Sequence, residues 1–171
     1  MHGTGLLACE GRKAGQGSRL ERTLARVFQR HFDCDRNGIA SAADDLAAWL
    51  EKEAPPSQAA LLASLALDEL ATNSLKYGSE EGRLVRILYT CELRPDAIRI
   101  RIEDDGRPFD PTAAPQPDAT LPLDAQTIGG RGIALLRALS SSFRYERREG
   151  QNCVTLESPA LPGGHWRRKA D

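Results

Sequence analysis

The chain has 171 residues (18.7 kDa), enough for one domain with a substantial core and short of what two ordinary domains need. Its formal net charge is −1, its isoelectric point is near 6.3, and its charged residues, 27% of the total, are mixed in sign, which argues against the one-signed basic footprint of a nucleic-acid binder. No stretch reaches the length of a membrane span, the N-terminus lacks a secretory signal pattern, and Cys9, Cys34, Cys91 and Cys153 show neither CxxC pairing nor zinc-ligand spacing; reduced thiols and a cytoplasmic location are expected.

In chain order, residues 1–17 are expected to hold an N-terminal strand around the short apolar piece LLACE and a flexible Gly-rich connector, GRKAGQG. From Ser18 to Phe32, Leu20, Leu24, Val27, Phe28 and Phe32 fall near helical spacing with Arg and Glu between them, which predicts an amphipathic helix. Residues 33–41, DCDRNGIAS, carry turn chemistry; DRNG resembles part of a calcium loop, but the bidentate Glu that closes such a loop is missing. A second helix is predicted over about Ala42 to Glu53, ending before Pro55 and Pro56. Ser57 is the expected N-cap of a third helix reaching Tyr77, with Gly78 as a left-handed C-cap.

Two strands follow, RLVRILYTCEL and AIRIRIEDDG, in the second of which Ile98, Ile100 and Ile102 alternate with Arg99, Arg101 and Glu103, so that one face is buried and the other wet. Residues 107–128 lack periodicity and are expected to form a long functional loop. GGRGIALLRALSSSF reads as a Gly-rich turn opening a helix, FRYERREGQNCVTLE as a closing hairpin turned near EGQN, and residues 159–171 as a C-terminal tail. The expected architecture is an α/β (α+β) two-layer sandwich, with helices on one face of a mixed, mostly antiparallel sheet, in a single domain over residues 1–171.

Three short motifs carry candidate chemistry. On the third helix Glu69 and Asn73 are four apart and share a face, where they can meet one ligand or be satisfied by structural partners. Asp104 and Asp105 at a strand end, followed by Gly106, place an acceptor beside backbone that a planar group can approach closely, although DDG is also a common turn. Gly129, Gly130 and Gly132 at a helix start offer backbone N–H groups of the kind that bind phosphate.

In that order, E-x-x-x-N on a helix, D-x-G at a strand end, a long loop and GGxG opening a helix resemble the N, G1 and G2 boxes of the GHKL superfamily of ATP-binding domains. LALDELATN, EDDGRPFDP and IGGRGIALLRAL are most similar to the small anti-sigma factor serine kinases, over about Ser57 to Glu157. The resemblance implies that Glu69 is the general base, that Asn73 coordinates Mg²⁺ on the phosphates of ATP, and that Asp104 rather than Asp105 accepts from the adenine amino group, with Gly106 against the ring. Gly130 and Gly132 match the phosphate-contacting turn, and residues 107–128 match the ATP lid; Lys76, Gly129, Arg131 and Ile133 complete the nucleotide contacts it implies. Pro108 stands where the broader superfamily often has a second Gly, which stiffens the loop and removes an N–H.

The implied activity is that of an ATP-dependent protein-serine kinase and partner-switching regulator. It would phosphorylate a STAS-domain anti-anti-sigma protein and sequester a sigma factor or another output protein, with homodimerisation common among relatives. A nucleotide-dependent binding module with little or no transfer is the alternative. Sensor histidine kinases share the ATP site, but none of His2, His31 and His165 sits on a long dimerising hairpin.

Overall fold

The computed structural model describes residues 25–54, 57–79, 83–94, 96–113 and 131–159. The predicted first helix is corrected at its described end: Arg26–Asp33 is a strand, β1, paired antiparallel with Arg86–Leu93, β2. The spacing of Phe28 and Phe32 explains the misreading, because four residues is an even number and keeps two side chains on one face of a strand as well as of a helix. Phe28 and Phe32 turn toward the core, while Val27, Gln29 and His31 lie exposed on the opposite face. The apolar piece and connector predicted over residues 1–17 and the tail of residues 160–171 lie outside the described residues.

Helix α1, Arg36–Glu53, begins six residues before its predicted start. The DRNG turn chemistry is its N-cap: the Asp35 carboxylate accepts from Gly38 N at 2.7 Å, satisfying one of the free donors of the first turn. Glycine is required at position 38, since a Cβ there would overlap the Asp33 carbonyl at the end of β1. Helix α2, Gln58–Asn73, starts as predicted, with the Ser57 hydroxyl accepting from Ala60 N at 3.2 Å.

The end of α2 departs from expectation. Ser74–Gly78 forms a single wide π-helical turn, and Gly78 does not take the left-handed conformation of a C-cap glycine; the chain leaves through Ser79 in extended geometry. Single π turns of this kind are frequently found at functional sites. Here the turn carries Gly78 to within van der Waals reach of Gly106: a Cβ on Gly78 would lie 3.6 Å from Gly106 Cα.

β2 pairs with Ala97–Asp104, β3; then come α3, Arg131–Leu139, and the hairpin of Ser142–Arg148, β4, and Gln151–Pro159, β5. The hairpin turns through Glu149 and Gly150, both with positive φ (49° and 81°), as a two-residue loop of right-handed strand twist requires. The sheet order is β1-β2-β3-β5-β4, and every pairing is antiparallel, so the described sheet has no parallel component.

The helices cover one face of this sheet. Ile98, Ile100 and Ile102 of β3 are buried with Ile87 and Tyr89 of β2, Leu156 of β5, Leu46 of α1, Leu62 and Leu67 of α2, and Leu136 of α3. Tyr89 is fully enclosed, and its hydroxyl donates to the Ala63 carbonyl at 2.8 Å, which removes the cost of a buried polar tip. Burial pushes the thiols of Cys34 and Cys91 up to about 12, with neighbouring acidic groups adding to the rise; Cys34, Cys91 and Cys153 are free and buried. The other face of β3 carries Arg99, Arg101 and Glu103, with ion pairs from Arg99 to Glu157 (3.5 Å) and Arg101 to Glu103 (2.9 Å). No helix among the described residues is long and apolar enough to cross a membrane.

Candidate nucleotide site

Asp104 ends β3 at 6% exposure. A buried carboxylate must be compensated, and three donors compensate this one: Ser74 Oγ lies 2.9 Å from Oδ2, while Gly106 N at 3.0 Å and Asn152 Nδ2 at 2.7 Å reach Oδ1. Ser74 Oγ also lies 3.1 Å from the Leu70 carbonyl, so the π turn and the carboxylate share one hydroxyl. With two of its lone-pair directions on Oδ1 used and one on Oδ2, the carboxylate retains acceptor capacity. Gly106 closes the corner: a Cβ there would stand 2.9 Å from Asp104 Oδ1 and 3.0 Å from Gly78 Cα and O, and Arg107 N donates to Gly78 O at 3.1 Å.

Asp105 points elsewhere. It accepts from Arg86 N at 2.8 Å and pairs with Arg83 (3.0 Å) and Arg86 (3.3 Å). Partial burial raises its carboxyl, but the bonds from Arg86 and Arg83 outweigh this and hold it below the ordinary value. Its oxygens therefore fasten the end of β3 to the start of β2, which leaves Asp104 as the carboxylate turned toward Gly78 and Gly106.

In the last turns of α2, just before Ser74, Glu69 and Asn73 are half-buried, one turn apart. Neither side chain has a hydrogen-bond partner among the described residues. Glu69 lies against the first turn of α3, where a Cβ on Gly132 would overlap its carboxylate. Burial raises the Glu69 carboxyl above its ordinary value and Asp68 adds to the rise, while Lys76 works against it. An exposed ammonium at Lys76 thus stands in the field of the carboxylate.

Of the other sequence-predicted residues, Arg131 is exposed at the start of α3. Ile133 is 4% exposed and belongs to the core, so only its backbone is available to a ligand. Gly129, Gly130 and residues 114–128 of the predicted lid lie outside the described residues. The described part of that loop is anchored: Tyr77 stacks on Phe109 (centroids 4.7 Å, 18°), the Asp110 carboxylate accepts from Thr112 N at 2.8 Å, and Arg137 of α3 donates to the Thr112 carbonyl at 3.0 Å.

Asn152 of β5 escaped sequence reasoning. At 3% exposure its Nδ2 donates to Asp104 Oδ1 and, at 2.8 Å, to the Arg107 carbonyl, and its Oδ1 receives Arg147 Nη1 (2.8 Å), Tyr145 OH (2.9 Å) and Phe109 N (3.3 Å). Arg147 Nη1 also donates to the Gly106 carbonyl at 3.0 Å. The closing hairpin therefore fixes the whole D-x-G corner. The register that sets Asn152 opposite Asp104 was not legible in a lone Asn beside a turn.

The site thus has a held carboxylate beside two close-packed glycines, and, at the end of α2, a half-buried polar pair of which Glu69 lies against the first turn of α3. Residues 32–158 match the family of the histidine kinase-like ATPase domain. The chain belongs to that family. The resemblance to GHKL domains drawn from the three boxes is thereby upheld, and the sheet with helices on one face is that fold. As a member of an ATPase-domain family the chain is an ATP-binding protein. It is 29% identical over 127 residues to a serine/threonine-protein kinase, BtrW, of Bordetella bronchiseptica, a match covering 72% of this chain and 89% of that one. The fold is also similar to a crystal structure of the RsbU and RsbW domains of a Mycobacterium tuberculosis protein, with a TM-score of 0.53 at 17% identity. That match covers 78% of this chain and 32% of the other, so the chain spans about a third of the solved protein's length.

Proposed function

We propose that the chain is an ATP-dependent protein-serine kinase acting as a partner-switching regulator, with a seryl side chain of a STAS-domain anti-anti-sigma protein as its substrate and a sigma factor or other output protein as the partner it sequesters. The kinase name of the Bordetella relative and the family's ATP site support the class of activity. The observation that carries it is Glu69: a half-buried carboxylate with a raised pKa, unclaimed by any described donor, one turn from Asn73 and against the first turn of α3.

Asp104 accepts the adenine amino group on its free lone pairs, beside the corner where Gly106 packs on Gly78. That corner orients the nucleotide, and its phosphates run toward α3. Glu69 takes the proton from the substrate serine hydroxyl; the oxygen bonds to the γ-phosphorus as the bond from phosphorus to the β–γ bridging oxygen breaks, and ADP departs with that electron pair. A raised pKa suits the task, since a base is stronger the closer its pKa lies to the working pH. The Asn73 amide oxygen, with no donor among the described residues, suits a hard cation, and Mg²⁺ bound there would neutralise phosphate charge.

The reading is tested with the full chain, Mg²⁺-ATP and the STAS-domain protein encoded nearest to it, scoring phosphoserine by mass spectrometry. Phosphoserine that depends on Glu69 supports it. ATP binding without transfer replaces it with a nucleotide-dependent binding module.

A further inference from the structure

Glycine at position 132 is not explained by the backbone. It sits in the second position of α3 without a positive φ, so alanine would adopt the same conformation and would strengthen the helix. The obstacle is the Glu69 carboxylate, whose carbon and both oxygens occupy the space a Cβ would need. Gly132 is buried, and the next residues that anchor α3, Ile133 and Leu136, are core side chains, so α3 has no freedom to draw back from α2. Glu69 in turn has no hydrogen bond to hold it among the described residues; packing against Gly132 is what remains to set its position.

We propose that Gly132 is a positioning residue for Glu69: the missing Cβ forms the seat that keeps the carboxylate at the mouth of α3, where it faces the phosphate end of the site. The inference rests on the catalytic role proposed for Glu69. A methyl group at position 132 expels the carboxylate from its seat and leaves the Asp104 end intact, 104 and 132 being on separate elements.

Four full-length proteins test this: the native chain, Gly132→Ala, Glu69→Ala and the double variant. In the native background Gly132→Ala both strengthens the helix and displaces the flexible end of the Glu69 side chain. In the Glu69→Ala background only the helix preference for alanine is left, so the Tm shift differs between the two backgrounds and the double-mutant cycle reads the coupling. Gly132→Ala lowers kcat about 100-fold, the scale of a misplaced general base, and changes the dissociation constant for Mg²⁺-ADP less than about threefold. The proposal is overturned if Gly132→Ala shifts Tm equally in both backgrounds, if the double variant does not fold, or if Gly132→Ala keeps native kcat. A loss of ADP affinity of equal size in both backgrounds also overturns it, assigning Gly132 to phosphate contact alone. The Tm comparison needs no phosphotransfer, so absence of transfer by the native chain fails the kinase reading and leaves the packing claim decided separately.

Discussion

Replacing Asn152 with Ala removes the residue that ties the closing hairpin to the D-x-G corner. The bond from Nδ2 to Asp104 Oδ1, 2.7 Å long and wholly buried, is to a carboxylate, a class worth about 1.5–3 kcal/mol. Losing Nδ2 also strips the Arg107 carbonyl of its 2.8 Å partner, and losing Oδ1 strips Phe109 N, at about 0.5–1.5 kcal/mol for each bond that water does not replace. Arg147 keeps the Gly106 and Gly150 carbonyls, and Tyr145 is partly exposed, so these two donors recover most of what they lose. The sum is about 3 kcal/mol, which lowers Tm by roughly 6–12 °C in a chain of this size. Asp104 retains Ser74 and Gly106 as donors but loses its fixed orientation, so affinity for ATP falls about tenfold, the equivalent of 1.4 kcal/mol. Differential scanning calorimetry and nucleotide titration measure the two effects. A Tm within about 2 °C of native, equivalent to about 0.5–1 kcal/mol, with unchanged ATP affinity, refutes the claim that β5 positions Asp104.

The two close-packed glycines respond differently. Gly106→Ala forces its methyl group against Gly78 and Asp104 and costs about 1–3 kcal/mol with loss of ATP binding, whereas Gly78→Ala meets only ordinary contacts and no positive φ and leaves stability within about 1 kcal/mol of native; urea unfolding of both variants checks the contrast. Glu69 gives a pH signature. Its folded pKa is raised from 4.5, so the group favours the folded state below its unfolded pKa, and that contribution is lost as pH rises through the folded value. Glu69→Gln is therefore more stable than the native chain at pH 7, and the difference disappears near the ordinary carboxylate range; Tm measured across pH shows this. Activity of the native chain falls, as pH is lowered, at a higher pH than an ordinary carboxylate would set, which a kcat/KM profile reads.

The sequence made the elements from α2 onward legible because their signals were local. Ser57 has a cap's chemistry, β3 alternates strictly, and Glu149 and Gly150 sit between two strand patterns. What it concealed depended on partners far along the chain. Phe28 and Phe32 fit two periods, and only pairing with β2 decides between them. Gly78 looked like a cap because a helix ended there, yet it is the backbone on which Gly106, 28 positions on, packs, which spacing does not reveal. Glu69, Asn73 and Asp104 stood out as polar residues in apolar surroundings, but Asn152 entered the site through strand register alone. Gly132 was visible as a glycine at a helix start, while its closeness to Glu69 belongs to the packing of α3 on α2.

The central claim is that Glu69 is the base of a serine-directed phosphotransfer. Its most direct test incubates the native chain and Glu69→Gln, each with Mg²⁺-ATP and the neighbouring STAS-domain protein, with ATP binding measured on the same samples. The account predicts phosphoserine on the STAS-domain protein with the native chain and none with Glu69→Gln, although both bind ATP. Equal transfer by the two proteins, or none by a native chain that binds ATP, contradicts it.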